Sequence, residues 1–540
     1  MDYSFNPRHS GVPHDEWRNG QYDALNWFEQ NGRAFTFLEL PTGIGKSAIP
    51  TAIGSRDDVT VLVSTLGLLD QYHEQYGFDI IKGRSNYLCV LSGKVDLWKR
   101  QGKPDPTAAE CHYSKMNECP ERINCPYLRA KEIGIASNRL AVTYKYAFLS
   151  FPVRKRTGVL VCDEAHELVN QIIGFSEFKI TERIRQKWDL PEFPYSHYGN
   201  GRGDELTLQS TIVVNRWLSK SIEEIESSMA YFSRMSTDYI RAERNLREFQ
   251  KIRDAITGSK QFLECGANLI KEYKKNRLTI SPGLRIRSLD ASQIANRLWE
   301  NKQRALLMSA TIGDPSPPAK AIGIQYYDWK TYPHPIPIDR RPIYDLGVPK
   351  MTHANLRANP NLYNIQAIII SKWINKLNSE WRGIVLTSSY KKIEILSSGL
   401  QQRLTNRRII TQMPGVPLTD IITQFITDKR PGDVLVASIQ GFGSGLDLQY
   451  DLARFAVIAG VPHSNPSDRY EQYRKRYNGK LCWWEAYNAV VQACGRVSRG
   501  ESDSNNGYLL NVAAIADGSA TTNLALKYYP KWFAEAFVKC

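Results

Sequence analysis

The sequence predicts an α/β protein built as two successive strand-and-helix halves. An apolar run, Ala34 to Leu40, leads into Pro41-Thr42-Gly43-Ile44-Gly45-Lys46-Ser47 and then a helix start at Ala48 to Ile53. A second apolar run, Gly158 to Cys162, ends in Asp163-Glu164-Ala165-His166. The last 190 residues repeat the alternation, with candidate strands at Ile384 to Thr387, Arg408 to Thr411, Val434 to Ala437, Phe455 to Ala459 and Tyr508 to Val512. Short apolar runs bounded by turn residues and separated by helical spacing read as buried parallel strands.

Composition sets the outer limits. A chain of 540 residues with 42% hydrophobic content has room for several domains with real cores. Its formal charge of +15 and pI near 9.2 suggest an acidic partner, of which nucleic acid is the commonest. No apolar run reaches transmembrane length, and Met1-Asp2-Tyr3-Ser4 lacks signal-peptide shape, so the expected location is cytoplasmic. Nine cysteines in that compartment argue against a disulfide framework.

In chain order, Arg18 and Gln21 precede a helical stretch, Tyr22 to Gln30. An Arg-x-x-Gln upstream of a phosphate loop could read adenine, because the Gln amide donates and accepts on the base edge; an ordinary helix start is the alternative. The loop itself is a phosphate cradle. Gly43 and Gly45 let backbone N–H groups approach, Lys46 reaches the β- and γ-phosphates, and Ser47 supplies a hydroxyl to Mg²⁺. The strict pattern asks for glycine at position 40, where this chain has leucine. Val59 to Ser64 is another buried strand, followed by Ser64, Thr65 and Gln71, which could hold a sugar–phosphate backbone or cap a helix.

Cys89, Cys111, Cys119 and Cys125 fall within 37 residues of polar, proline-rich sequence with too few apolar residues to fold alone. A metal centre would supply the missing cross-link. Four thiolates suit zinc or an iron–sulfur cluster, and the absence of short Cys-x2-Cys knuckles tilts the choice toward iron–sulfur; His112 is an alternative ligand. After the short strand Leu140 to Thr143, the apolar run ending in Asp163-Glu164 is what a nucleotide hydrolase needs opposite its phosphate loop. Asp163 would hold Mg²⁺ through water, and Glu164 would orient and deprotonate the attacking water. Cys162 lies inside this strand and reads as core.

Residues 175–275 read as a mainly helical insertion, with apolar helical spacing in Ile212 to Met229 and dense charge in Tyr239 to Arg253. The strand Arg304 to Met308 ends in Ser309-Ala310-Thr311, hydroxyls that could couple phosphate state to domain movement. Pro315 to Pro349 reads as a linker. The second half lacks a phosphate loop and carries instead Gln440 to Asp447, including Gly445 and Asp447, and Gln492-Ala493-Cys494-Gly495-Arg496-Val497-Ser498-Arg499. Arg496 and Arg499, three apart after a helical stretch, could act as arginine fingers on a nucleotide held by the first half.

These stretches, in this order, resemble the motifs of superfamily 2 helicases and within them the DinG/XPD-like iron–sulfur family. Pro41 to Ser47 resembles motif I, Asp163 to His166 the DEAH box, Ser309 to Thr311 motif III and Gly441 to Asp447 motif V, although the usual Trp-Glu-Gly opening is altered. Gln492 to Arg499 is similar to motif VI, Lys82-Gly83-Arg84-Ser85-Asn86-Tyr87-Leu88-Cys89 is the most family-specific match, and Cys125-Pro126-Tyr127 resembles the last cluster ligand.

The resemblance implies two RecA-like P-loop motor domains, the first interrupted by an iron–sulfur cluster domain and a helical arch. The first motor domain would take residues 1–84, 136–174 and 276–325, the cluster domain 85–135, the arch 175–275 and the second motor domain 326–540. It also implies ATP, Mg²⁺ and a 4Fe-4S cluster as cofactors. The implied activity is unwinding coupled to 5′→3′ movement on single-stranded and tailed duplex DNA, with a monomer expected. A translocase that unwinds poorly and a silent nucleic-acid-binding scaffold are the alternatives. Intact Lys46, Asp163, Glu164, Arg496 and Arg499 argue against the scaffold.

Overall fold

The computed structural model describes residues 7–539 except 19, 112–118, 194–203, 206–207, 234–235, 259–262, 268–269, 275–276, 282, 289, 443–451, 465–468 and 498–511. In chain order the first half runs α1 (Gln21–Gln30), β1 (Phe35–Glu39), α2 (Ala48–Ile53), β2 (Val59–Val63), α3 (Leu66–Tyr76) and β3 (Asp79–Ile81). It continues through α4 (Ser92–Arg100), α5 (Pro126–Ala136), β4 (Arg139–Thr143) and β5 (Val159–Cys162). Six short strands follow: β6 (Phe178–Thr181), β7 (Asp204–Glu205), β8 (Leu263–Ala267), β9 (Ile270–Lys274), β10 (Arg277–Ser281) and β11 (Gly283–Ser288). Then come β12 (Arg304–Ser309) and β13 (Asp328–Thr331). The second half contributes β14 (Ile343–Asp345), β15 (Gly383–Thr387), β16 (Ile409–Thr411), β17 (Val434–Ser438), β18 (Phe455–Ile458), β19 (Val512–Ile515) and β20 (Phe537–Lys539).

Two seven-stranded sheets result, with strand orders β13-β1-β12-β5-β2-β4-β3 and β16-β17-β15-β18-β19-β14-β20. Every neighbouring pair in both is parallel. The phosphate loop leaves the C-terminal end of β1 and the Asp-Glu pair leaves the C-terminal end of β5. β12 lies between them, so Ser309 ends at the same level. Loops at the carboxyl ends of parallel strands are where such sheets build sites.

Alternation along the strands divides the first core. Leu38, Val61, Val161, Leu306 and Met308 face one way, with Leu25 and Phe28 of α1, Ile49 of α2 and Tyr72 of α3. Phe37, Leu62, Leu160, Ala305 and Leu307 face the other. That second cluster continues without a break into Leu386, Leu435, Ile458, Trp484 and Trp532 of the second half, so apolar burial joins the two sheets.

Three features differ from the sequence reading. The insertion expected to be mainly helical does contain two 22-residue helices, Leu208–Met229 and Thr237–Gly258. It also contributes β6, β7 and β8 to an antiparallel sheet, β6-β11-β8-β7, and β9 to a separate pair with β10, the partners β10 and β11 lying beyond its predicted end. Its strands are short and carry charge at alternate positions, as in Gly283-Leu-Arg-Ile-Arg-Ser288, so no long apolar run marks them. The supposed linker 315–349 holds a helix, Ser316–Ala321, and both β13 and β14; the crossing between sheets is confined to 332–342. Finally, the last strand of the Tyr508 to Val512 reading falls at Val512–Ile515, and 508–511 lie outside the described residues.

Gly158 opens β5 at φ 80°, where an added Cβ would stand 2.2 Å from the Asp58 carbonyl oxygen. Gly77 has φ 66° with open space around it. Gly77→Ala should therefore cost about 1–2 kcal/mol from backbone conformation alone. Gly158→Ala should cost roughly 1–3 kcal/mol more from overlap with main chain. Thermal melts should rank wild type above Gly77→Ala and Gly77→Ala above Gly158→Ala.

Candidate nucleotide site and domain cleft

The phosphate loop is shaped by its own neighbours. Gly45 has φ 79°, and a Cβ there would fall 2.7 Å from the Gln21 side-chain nitrogen. Gln21 is 1% exposed; its Nε2 donates to the Ile44 and Gly45 carbonyls at 2.6 and 2.9 Å, and its Oε1 accepts the Arg18 N–H at 2.9 Å. Arg18 Nη1 donates to the Gly43 carbonyl at 3.2 Å. Both residues expected to read adenine thus hold the loop. Leu40 takes the place of the pattern's first glycine because that position still belongs to the sheet: its N–H donates to the Ser309 carbonyl at 2.9 Å and its side chain is fully buried. The Thr42 hydroxyl is buried with no partner, as expected of a donor aimed at an absent phosphate oxygen.

Opposite the loop, Asp163 is 3% exposed. Its Oδ2 accepts from the Tyr72 hydroxyl and its Oδ1 from the Glu164 N–H, both at 2.9 Å, while the Tyr144 hydroxyl donates to its backbone carbonyl at 2.9 Å. Burial, then repulsion from Glu164, pushes the Asp163 carboxyl up to about 6, against the attraction of Lys46. Glu164 sits at φ 52°, a left-handed conformation rare outside glycine. There its carboxylate meets Lys46 Nζ at 3.5 Å and His166 Nδ1 at 3.3 Å. Lys46, Asp163 and Glu164 are therefore brought together, with Ser47 next to Lys46 at the start of α2. Two hydroxyl or carboxylate oxygens beside a lysine and an orphaned threonine hydroxyl suit Mg²⁺ carried on a nucleotide phosphate.

From this pair a polar path crosses the cleft. His166 Nδ1 lies 2.8 Å from Ser309 Oγ, which accepts the Thr311 N–H at 3.1 Å. Gln492 Nε2 donates to Thr311 Oγ1 at 2.6 Å, and Arg496 Nη2 donates to Gln492 Oε1 at 3.5 Å. Arg496 is 4% exposed. Around the path, Trp484 donates to the Ile312 carbonyl at 2.6 Å and Trp532 to the Ala310 carbonyl at 3.2 Å. Gly445, Asp447 and Arg499 lie outside the described residues. Thr65 accepts the Leu68 N–H at 3.3 Å and caps α3, which decides its reading in favour of the cap.

The four clustered cysteines come from a turn, two loops and the N-terminus of α5, all half-buried. Burial pushes the Cys89 and Cys119 thiols up, and the other cysteines of the set add repulsion. Lys94 of α4 is fully buried among them and donates to the Glu110 carbonyl; burial pulls its ammonium down, while Cys89 and Cys111 pull it back up. Among the described residues no three His, Cys, Asp or Glu side chains form a group that could hold a metal ion. The donor set matches a four-thiolate cluster in number and chemistry without closing into a single-ion site. No described helix is long and apolar enough to cross a membrane.

Sequence reasoning missed Tyr72, Tyr144 and Glu39. Glu39 is 1% exposed; its Oε2 accepts the Ile312 and Gly313 N–H groups at 2.9 and 2.5 Å, and its Oε1 accepts the Thr331 hydroxyl at 2.7 Å. Its position directly before the phosphate loop was the available signal. Asp163 yields a pH prediction. Its folded value lies above its ordinary value, so the folded chain binds the proton more tightly than the unfolded chain between about pH 4 and 6. Stability of the nucleotide-free protein should therefore fall as pH rises through that window and stay lower above it. Asp163→Asn should raise the nucleotide-free melting temperature at pH 7.5 and flatten the pH 4–6 slope, in melts followed by circular dichroism.

Residues 375–534 match the helicase C-terminal domain family. None of the curated proteins matches the chain by sequence. Among solved structures, an XPD helicase aligns over 98% of this chain and 100% of its own, with a TM-score of 0.58 and 15% identity. Xpd4 of S. tokodaii aligns over 97% and 100%, with a TM-score of 0.56 and 14% identity. An apo XPD aligns over 96% and 99%, with a TM-score of 0.55 and 14% identity. At these identities the likeness to the solved structures is one of fold. Residues 375–534 thus carry a helicase C-terminal domain, and the chain as a whole shares the fold of the XPD helicases.

Proposed function

We propose that the chain is an ATP-dependent motor that moves 5′→3′ along single-stranded DNA and unwinds tailed duplexes. The observation that supports this best is the polar path that starts with Glu164 Oε2 3.3 Å from His166 Nδ1 and runs by hydrogen bonds from His166 through Ser309, Thr311 and Gln492 to Arg496. It links the groups that would meet the γ-phosphate to a helix of the second sheet, so a change at one end has a route to the other. The +15 charge supplies an electrostatic reason for a polyanionic partner.

In this reading the loop N–H groups and Lys46 hold the β- and γ-phosphates. Ser47 and Asp163 hold Mg²⁺, which when bound draws charge from the phosphoryl oxygens. Glu164 orients a water against the γ-phosphorus and takes its proton as the water oxygen bonds to phosphorus and the bond to the ADP oxygen breaks, giving ADP and phosphate. Arg496, with Arg499, stabilises charge on the transferring group once the cleft closes, and Gly445 and Asp447 complete the nucleotide's contacts from the second half. Adenine recognition by Arg18 and Gln21 then requires the Gln21 amide to exchange loop carbonyls for the base edge.

Cys89, Cys111, Cys119 and Cys125 would hold a 4Fe-4S cluster, which when bound supplies a cross-link among segments that share little apolar core. The repulsion that the thiols exert on Cys89 and Cys119, and the buried Lys94 whose ammonium Cys89 and Cys111 favour, support that reading.

A strand-displacement assay with 5′- and 3′-tailed duplexes, with and without ATP, tests the motor. Unwinding only of the 5′-tailed substrate is expected. ATP turnover without displacement on either substrate would favour a translocase. Glu164→Gln should keep nucleotide binding and lower turnover by about 10²–10⁴-fold, and near-normal turnover would remove Glu164 from the reaction. Binding to single-stranded DNA should weaken with salt, each neutralised phosphate contributing a slope of about −0.7 in log affinity against log salt. Cys111→Ser should lower bound iron and strand separation while much of the ATPase survives, with Cys482→Ser and Cys494→Ser as controls. Stoichiometric zinc in place of iron would refute the cluster and leave the motor standing.

A further inference from the structure

The helix Arg469–Cys494 of the second half lies against the strand end Ser309 to Thr311 of the first. Trp484, Asn488 and Gln492 follow one another on it at intervals of four and so line up along one face. The outer two are tied to the first half. Trp484 Nε1 donates to the Ile312 carbonyl and Gln492 Nε2 to Thr311 Oγ1, both at 2.6 Å. Asn488 between them is 4% exposed, and among the described residues neither its Oδ1 nor its Nδ2 has a hydrogen-bond partner. A buried amide left without partners is costly, and most buried polar groups have at least one. Leucine, of nearly the same shape, would remove that cost, so packing gives no reason for asparagine here.

Asn488 lines a cavity of about 460 Å³ between the two halves, a volume that suits a small molecule. His166 lines it from the first half, and its buried Nε2 also has no hydrogen-bond partner, with Glu167 Oε1 3.6 Å away. The charged groups among the described lining residues are unequal in sign. Glu167, Glu471 and Glu485 stand against Arg474, which lies 3.6 Å from Glu471 and donates to Glu485. Such a lining repels phosphate and accepts hydrogen bonds from N–H groups. None of residues 41–47 lines the cavity, so it is separate from the phosphate cradle.

We propose that this cavity is a second ligand site, for a phosphate-free amino-heterocycle such as a cytosine or adenine nucleoside, read by the Asn488 amide. An asparagine amide sets an acceptor beside a donor. Its complement is an amino N–H beside a ring nitrogen, the edge by which asparagine takes adenine and which cytosine also presents. The carboxylates of the lining offer acceptors for the second amino hydrogen. Their charge selects a nucleoside over a nucleotide or a base carried on a strand. The cavity also touches His166 and Gln492, so an occupant would stand against two links of the polar path across the cleft. The binding itself does not depend on whether the chain hydrolyses ATP.

The test is calorimetric titration of the full chain with cytidine, adenosine and their 5′-monophosphates, in the presence of saturating Mg-ADP. At least one nucleoside should bind saturably, and its monophosphate should bind more weakly. Asn488→Leu should weaken that binding about tenfold or more, in keeping with loss of the paired hydrogen bonds. Ala489→Leu, which narrows the cavity and leaves the amide in place, should weaken it as well. The ligand-free melting temperature of Asn488→Leu, followed by circular dichroism, should equal or exceed that of wild type, because a partnerless amide has been removed. Absence of saturable binding by both nucleosides overturns the proposal. So does binding that Asn488→Leu leaves unchanged, or a monophosphate that binds as tightly as its nucleoside. A lower melting temperature in Asn488→Leu would make the amide a structural element and overturn it too.

Discussion

One buried carboxylate holds the machine's parts in register. Glu39 ends β1, and its two oxygens gather the Ile312 and Gly313 amides beyond β12 and the Thr331 hydroxyl at the end of β13. Burial raises its proton affinity and these donors lower it again. A carboxylate this deep is tolerated because both of its oxygens have donors. It fixes where the phosphate loop begins, where the Ser309 to Thr311 hydroxyls stand, and where the chain departs for the second sheet. Removing one partner would leave a buried charge exposed to a low-dielectric interior, which is why the three strand ends behave as one unit.

Around that unit the polar groups are arranged at the cost of local comfort. Glu164 accepts a left-handed backbone to face Lys46 and His166 together. Asp163 is buried against its own charge. Strained conformations and perturbed carboxyls concentrate where function needs a side chain in one place. The tryptophans that grip Ala310 and Ile312 belong to the second half. The strand end that senses the first site is therefore a contact surface for the other domain.

The legible parts of this chain are those written in short, contiguous runs. Phe35–Glu39, Val159–Cys162 and Val434–Ser438 are apolar stretches flanked by turn chemistry, and each is a strand within a residue or two of its predicted bounds. Pro41 to Ser47 and Asp163 to His166 carry their chemistry in consecutive residues, so Lys46, Ser47, Asp163 and Glu164 could be paired before any geometry was seen. What stayed hidden depends on distant partners. Tyr72 is an ordinary helical tyrosine until a strand ninety-odd residues on delivers Asp163. β13 and β14 are too short and too polar to declare themselves, and they exist because β1 and β19 offer edges to pair with. Gln21 is likewise an ordinary first-turn residue until the loop brings it the carbonyls of Ile44 and Gly45.

The strand order has a consequence for biosynthesis. β1 carries the phosphate loop, yet its only sheet neighbours among the described strands are β12 and β13, so Phe35 waits for Ala305 and Thr36 for Asp328. On a ribosome the loop emerges early and stays without a sheet until the chain has passed residue 309. β2, β4 and β5 can pair among themselves well before that. The cysteine-bearing segment is also complete by then. Contacts this far apart in sequence form late. A nascent chain would thus finish the cysteine-bearing segment before it can seat the phosphate loop in its sheet, and any truncation short of β12 would have the sequence of a nucleotide site without the shape of one.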